Sequence, residues 1–160
     1  MENSSVLLTV DQWLAFLRIG IGLWWVKSVL HKEYPKFVKT GMMSWTNSLL
    51  DNHPVPAYAG IVRRIINFQP TIFPYLIVLG EAAVGIGLVL GFLTPLSALV
   101  ALLLNTMYIT VAGVRPKDIS VNPGFRVDQG QNWVMIVSEI VILFAGAGAV
   151  WSIDSLLGIG

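Results

Sequence analysis

Apolar residues gather into four long runs, Trp13 to Leu30, Phe73 to Gly91, Thr94 to Val114 and Gln131 to Val150, with polar or turn-forming sequence between them. A bilayer core of ~30 Å takes about 20 apolar residues of helix, so each run is long enough to cross it. The second and third runs are separated only by Phe92 and Leu93, and Thr94-Pro95 reads as an N-cap with proline at the first helical position. These two runs therefore form a tight helical hairpin. The connection His31 to Ile72 is too long to lack structure of its own. Pro35 opens a short helix carrying Phe37, Val38, Met42, Trp45 and Leu49, which Asp51-Asn52-His53-Pro54 ends. After Pro56, Tyr58, Ile61, Val62, Ile65 and Ile66 recur at helical spacing, with Arg63 and Arg64 to one side, as far as Gln69-Pro70. That helix reads either as an interfacial one, apolar face in lipid and basic face toward headgroups, or as a loop helix packed on the bundle. Arg115 to Gly130, with Pro116, Pro123 and Gly124, reads as a loop. The expectation is an all-α chain: an integral membrane four-helix bundle forming a single transmembrane domain, with an amphipathic helical insertion over residues 35–69.

Composition agrees. Of 160 residues, 55% are hydrophobic and 12% charged, where a soluble domain carries about 25% charged residues. A net charge of +1 by itself says nothing about nucleic acid or acidic substrates, and no nucleic-acid partner is expected. The chain has no cysteine, which excludes disulfides, thiolate-held iron–sulfur clusters, covalent c-type haem and thiol redox chemistry. Met1 to Val10 has no Lys or Arg, so it lacks the basic start of a secretory signal, and the first run reads as a permanent helix.

The distribution of charge is one-sided. Lys32, Lys36, Lys39, Arg63, Arg64, Arg115, Lys117 and Arg126 fall on the side of the insertion, with Lys27 at a helix end. The side holding both termini and the hairpin turn has no basic residue outside the runs. By the positive-inside rule the basic loops are cytoplasmic and both termini outside, in a multi-pass protein of the inner (plasma) membrane. Trp13, Trp24, Trp25, Tyr34, Trp133 and Trp151 lie near run ends, where interfacial aromatics belong.

Arg18, Glu81, Asn105 and Glu139 lie inside the runs. An ionisable group in hydrocarbon costs about 2.5–3.5 kcal/mol, so such groups face the bundle interior and mark partners or pathways. Arg18 with Gly22, Glu81 with Gly85, Glu139 with Gly146 and Asn105 with Ala101 and Ala112 share helical faces, and Gly87 to Gly91 is a GxxxG. Small residues mark close helix contact in membranes, so the spacing argues for one interior polar cluster. It serves either as a site or as structural glue, with Arg18 pairing a glutamate. His31 and His53 read as exposed loop histidines, and no metal site is expected. Met42-Met43 beside Trp45 reads as packing.

Three stretches, LRIGIGLWWVKSVLHK, GEAAVGIGLVLGFLTPLSALV and GQNWVMIVSEIVILFAGAGAVWSIDSLLG, resemble the DoxX/DoxD family of small four-helix membrane proteins. Within it they look closest to the DoxD-like subunit of thiosulfate:quinone oxidoreductase. Gly80-Glu81, Gly85, Gly91 and Thr94 fall where that family has them, and Ser152 and Asp154 resemble its terminal serine–acidic motif. The resemblance implies a membrane subunit linked to quinone reduction, passing electrons from a small sulfur compound or partner protein. Quinone reduction calls for an apolar slot, carboxyl proton donors, and a cation or amide for the carbonyls. Glu81 and Glu139 supply the catalytic carboxyls, and Arg18 and Asn105 the quinone-binding groups. Nothing in the chain carries electrons, so an electron-donating partner or a bound cofactor is required, and other subunits of a membrane complex are expected as partners besides the bilayer. A non-catalytic accessory subunit docking through His31 to Ile72, or a small transporter, stays open.

Overall fold

The computed structural model describes residues 8–159; residues 1–7, whose lack of basic side chains enters the orientation argument, lie outside the described residues. The described chain is all helical. α1 (Val10–Leu30) starts at Thr9, which forms a capping box with Gln12. A π-helical turn, Phe37–Gly41, runs directly into α2 (Met42–Asp51), and α3 (Pro56–Phe68) follows with proline in its first turn. α4 (Phe73–Leu90) and α5 (Thr94–Val111) form the expected hairpin. A short turn, Ile119–Val121, leads into α6 (Phe125–Phe144), and α7 (Ile153–Leu157) closes the chain.

α1, α4, α5 and α6 form the bundle. α1 packs closely on α4 and α5 on α6, while α4 meets α5 and α1 only brushes α6. α1, α4 and α5 are long and apolar enough to cross a membrane. α6 has the length, but its first turns carry Arg126, Asp128, Gln131 and Asn132.

The α1–α4 seam is built on glycines. A Cβ on Gly22 would lie 2.7 Å from the Val89 nitrogen, and one on Gly85 would lie 2.9 Å from the Val26 nitrogen. Each helix thus contributes a glycine that receives the other's backbone. Between helices in lipid, apolar burial supplies no transfer energy, so such close approach, through dispersion, is a main source of attraction. The bundle core is Trp25, Val84, Leu88, Ala98, Ala101, Met135, Ile142 and Ala147. A second core, at the basic side, packs Leu49 and Leu50 of α2 with Ala59, Val62 and Ile66 of α3 against Val111 and Ala112.

Several expectations change in detail. The fourth run folds as the helix Phe125–Phe144 rather than Gln131 to Val150, so the loop predicted to reach Gly130 already turns helical at Phe125. Gly146 has φ +70° and lies past the helix end, so it shares no face with Glu139. Gly91 ends α4 in the left-handed conformation, where a side chain would be strained, so Gly87 to Gly91 is not a helix–helix motif. Trp25 is core, 2% exposed, while Trp13, Trp24, Tyr34, Trp133 and Trp151 face outward as expected. His53 is buried rather than exposed: its Nε2 lies 3.0 Å from the Thr110 carbonyl and its Nδ1 3.1 Å from the Val55 nitrogen. It ties the insertion to the end of α5, and the Lys117 amide, donating to the Asn52 carbonyl at 2.7 Å, ties it to the loop before α6.

In the loop before α6, the Ser120 amide and hydroxyl donate to Asp118 at 2.9 and 2.8 Å, holding that carboxyl below the usual carboxylate range. A depressed folded value stabilises the turn above the ordinary pKa, and this contribution is lost as pH falls through the folded value. The Ser120 amide proton should therefore shift upfield as pH falls below the ordinary carboxylate range. An NMR titration in which it does not move removes the Asp118 cap.

Candidate functional site

The four residues singled out in the sequence do not form one cluster. They divide into two stations, one beneath the hairpin turn and one nearer the basic side, about 10 Å apart by the helical rise from Glu81 to Leu88, and the division follows from which groups each charge can reach.

At the hairpin side, Arg18 of α1 is wholly buried and meets carbonyls, not glutamates. Its Nη1 donates to Leu88 at 2.7 Å, Nε to Ala147 at 2.9 Å, and Nη2 to Trp151 at 2.7 Å. Leu88 lies in the last turn of α4, where carbonyls lack helical partners and the helix dipole is negative. The guanidinium thus serves as a distant C-cap. Asp154 does the complementary work at the start of α5: its carboxylate accepts from the Leu93 and Thr94 amides, both at 2.7 Å. Thr94 is therefore not the acting cap; its own hydroxyl has no partner. A charged acceptor makes the stronger bond to the positive helix end. Leu93 sits at φ +48°, a conformation costly for leucine, and the Asp154 bond helps hold it there. Together Arg18 and Asp154 fasten the segment after α6 over the hairpin turn.

Toward the basic side lie the other three residues. Glu81 of α4 is 2% exposed. Its Oε1 accepts from the Tyr108 hydroxyl at 2.6 Å, and its Oε2 takes Ser28 at 3.3 Å and the ammonium of Lys32. Lys32 also lies 5.2 Å from the centre of the Phe37 ring. Glu139 of α6 is fully buried: Oε1 accepts from the Asn105 amide at 2.6 Å and from the Trp25 indole at 3.1 Å, and Oε2 is unpartnered.

Helical spacing explains the pairing. Trp25 and Ser28 are three apart on α1, and Asn105 and Tyr108 three apart on α5, so each pair shares a face. The same two helices therefore present one donor each to Glu139 and, about 4.5 Å nearer the basic side, one donor each to Glu81.

A cleft of about 270 Å³ opens beside this layer. Glu81, Asn105, Tyr108, Ser28 and Lys32 reach its surface, with apolar walls from Met42, Trp45, Ile66, Phe73 and Ile77 and a polar edge of Asp128 and Asn132 on α6. Glu139 is not among the lining residues and lies behind Asn105 and Trp25. Met42 and Trp45, read as packing, thus face the cleft. Lys32 and Tyr108 were missed as site residues, Lys32 because it counted as a loop charge and Tyr108 because an aromatic in an apolar run carries no signal. Tyr108 lies three residues from Asn105, and that spacing could have found it. Among the described residues no group of His, Asp and Glu is placed to hold a metal ion.

No curated protein and no solved structure matches the chain. A family model does: the one described as DoxX, over residues 13–114. Glu139 and Asp154 lie beyond that match, which covers the glycine seam, Arg18 and both donor faces of the cleft. Extending over most of a sequence that folds as a helical bundle with membrane-length spans, it makes this chain a multi-pass membrane protein of the DoxX family.

Proposed function

We propose that this protein is the membrane subunit of a quinone-linked redox complex, and that its cleft takes the quinone ring beside Glu81. The observation that carries the reading is a buried carboxyl at the surface of an apolar cleft, held by the Tyr108 hydroxyl and the Lys32 ammonium. A pocket for a planar apolar ligand is mostly hydrophobic with a few placed polar groups, and this one has that balance. A quinone, when bound, supplies an acceptor for electrons and protons.

The chain's own residues divide the remaining work. Asn105 and Lys32 are the groups that would hold carbonyl oxygens. Glu81 and Tyr108 share a hydrogen bond along which a proton can be held or passed at the cleft surface. Glu139 fixes the orientation of Asn105 and has an oxygen left over to accept a further proton. Arg18 is committed to carbonyls beneath the hairpin turn, so it drops out of the ligand-holding set. The electron donor is a partner subunit or a bound cofactor, since this chain has no cysteine for cluster or thiol chemistry; a small sulfur compound would be the ultimate source. The one-sided basic loops support a reading in which the cleft opens toward the cytoplasm from a protein of the inner membrane.

Glu81→Gln keeps the size and the acceptor oxygen but cannot exchange a proton. It is expected to lower quinone reduction by the purified complex about 10²–10⁴-fold, the usual share of a positioned acid–base group, with the assembly retained and some thermal stability lost, because the Lys32 ammonium loses its buried carboxylate partner. Unchanged turnover removes Glu81 from the chemistry and favours an accessory role.

A further inference from the structure

α3 has an outward surface that the cleft does not use. Its buried stripe is Ala59, Val62 and Ile66. A second apolar stripe, Ile61, Ile65 and Phe68, is 59%, 56% and 81% exposed. Helical geometry places Arg64 at the flank of this exposed stripe, with Gly60, Pro56 and Arg63 next around the helix. There the surface opens into a recess of about 200 Å³ between α2, α3 and the loop before α6, lined by Asp51, His53, Gly60, Arg63 and Lys117 among others. Arg63 pairs with Asp51 at 2.5 Å. Among the described residues Lys117 in the recess lining and Arg64, beside it on α3 by helical geometry, make no ion pair, so the recess and its flank carry surplus positive charge. Gly60 leaves the floor open, since a Cβ there would meet nothing within 4 Å.

Apolar stripe, cation and basic recess thus follow one another around a single helix, at the end of a membrane bundle. That order matches acyl chain, headgroup boundary and phosphate. We propose that α3 and this recess bind one anionic phospholipid, its phosphate against Arg63, Arg64 and Lys117 and its acyl chains along Ile61, Ile65 and Phe68. A free anion uses the recess but has no need of the apolar stripe beside it. The site is separate from the cleft and does not depend on what the cleft binds.

The test is native mass spectrometry of the full chain in mild detergent, offered phosphatidylglycerol and phosphatidylcholine of identical acyl chains. Phosphatidylglycerol should be retained preferentially. Arg64→Gln and Lys117→Gln should each weaken its binding about fivefold, from the ~1 kcal/mol that one basic residue contributes to anionic lipid attraction, and leave phosphatidylcholine unchanged. Gly60→Leu should fill the recess and abolish the preference while thermal stability stays near that of the unaltered protein. Equal retention of the two lipids by the unaltered chain overturns the proposal, as does a preference that survives in the Arg64→Gln/Lys117→Gln pair. Displacement of phosphatidylglycerol by inorganic phosphate at equal concentration assigns the recess to free anions and likewise overturns it.

Discussion

Replacing Arg18 with methionine is expected to destabilise the bundle by about 3–5 kcal/mol, the range for removing one partner of a buried charged network. Methionine fills much the same volume but donates nothing, so the Leu88, Ala147 and Trp151 carbonyls lose their shared donor in a place where water is scarce. Arg18→Lys should recover only part of the loss, because a lysine ammonium is a compact point charge that cannot fork toward three separated carbonyls. The measurement is thermal unfolding in detergent. The result also separates two pictures of this residue. If Arg18 balanced a glutamate, Glu81→Gln or Glu139→Gln would restore stability to Arg18→Met. The carbonyl geometry predicts no rescue by either, and a rescue would return Arg18 to the carboxyl cluster.

The second large effect is steric. Gly85→Leu would drive a branched side chain into the α1 backbone, where even its Cβ stands 2.9 Å from both the nitrogen and Cγ2 of Val26. A backbone cannot rotate aside as a side chain can, so α1 and α4 must part, at a cost of about 3 kcal/mol. Opening this seam also pulls Ser28 of α1 and Lys32 just past its end away from Glu81 of α4, so any activity of the cleft should fall with stability. Gly20→Ala is the control, since a Cβ there meets nothing within 4 Å. It should be neutral or slightly stabilising, because alanine is the better helix former. Detergent-resistant folding of Gly85→Leu at the unaltered transition temperature would show that the seam is looser than it stands here.

The helices were legible because their signal is local. A run such as Phe73–Leu90 needs no partner to declare itself: twenty or so apolar residues are too many for a loop and must satisfy their own hydrogen bonds in lipid. The insertion was legible for a similar reason, since Pro56, the spacing of Val62 and Ile66, and Gln69-Pro70 mark both ends and the buried face. Apolar content misled at the fourth run. The run to Val150 is apolar throughout its last part, but Gly146 takes a left-handed turn and the chain folds back so that Trp151 and Asp154 reach the hairpin. Hydropathy does not distinguish a helix from an apolar loop that another segment covers.

From its sequence alone, this protein was determined to be a helical membrane bundle whose Arg18, Glu81, Asn105 and Glu139 face inward, because charge in hydrocarbon is too costly to face lipid. Which of those residues meet was decided only by the tertiary structure. Depth along a helix follows from counting at about 1.5 Å per residue, but neighbours around the bundle depend on helix order and rotation, which no single run encodes. That order put Tyr108 and Lys32 on Glu81 and Asn105 on Glu139, and it turned Arg18 away from both carboxyls to cap the end of α4.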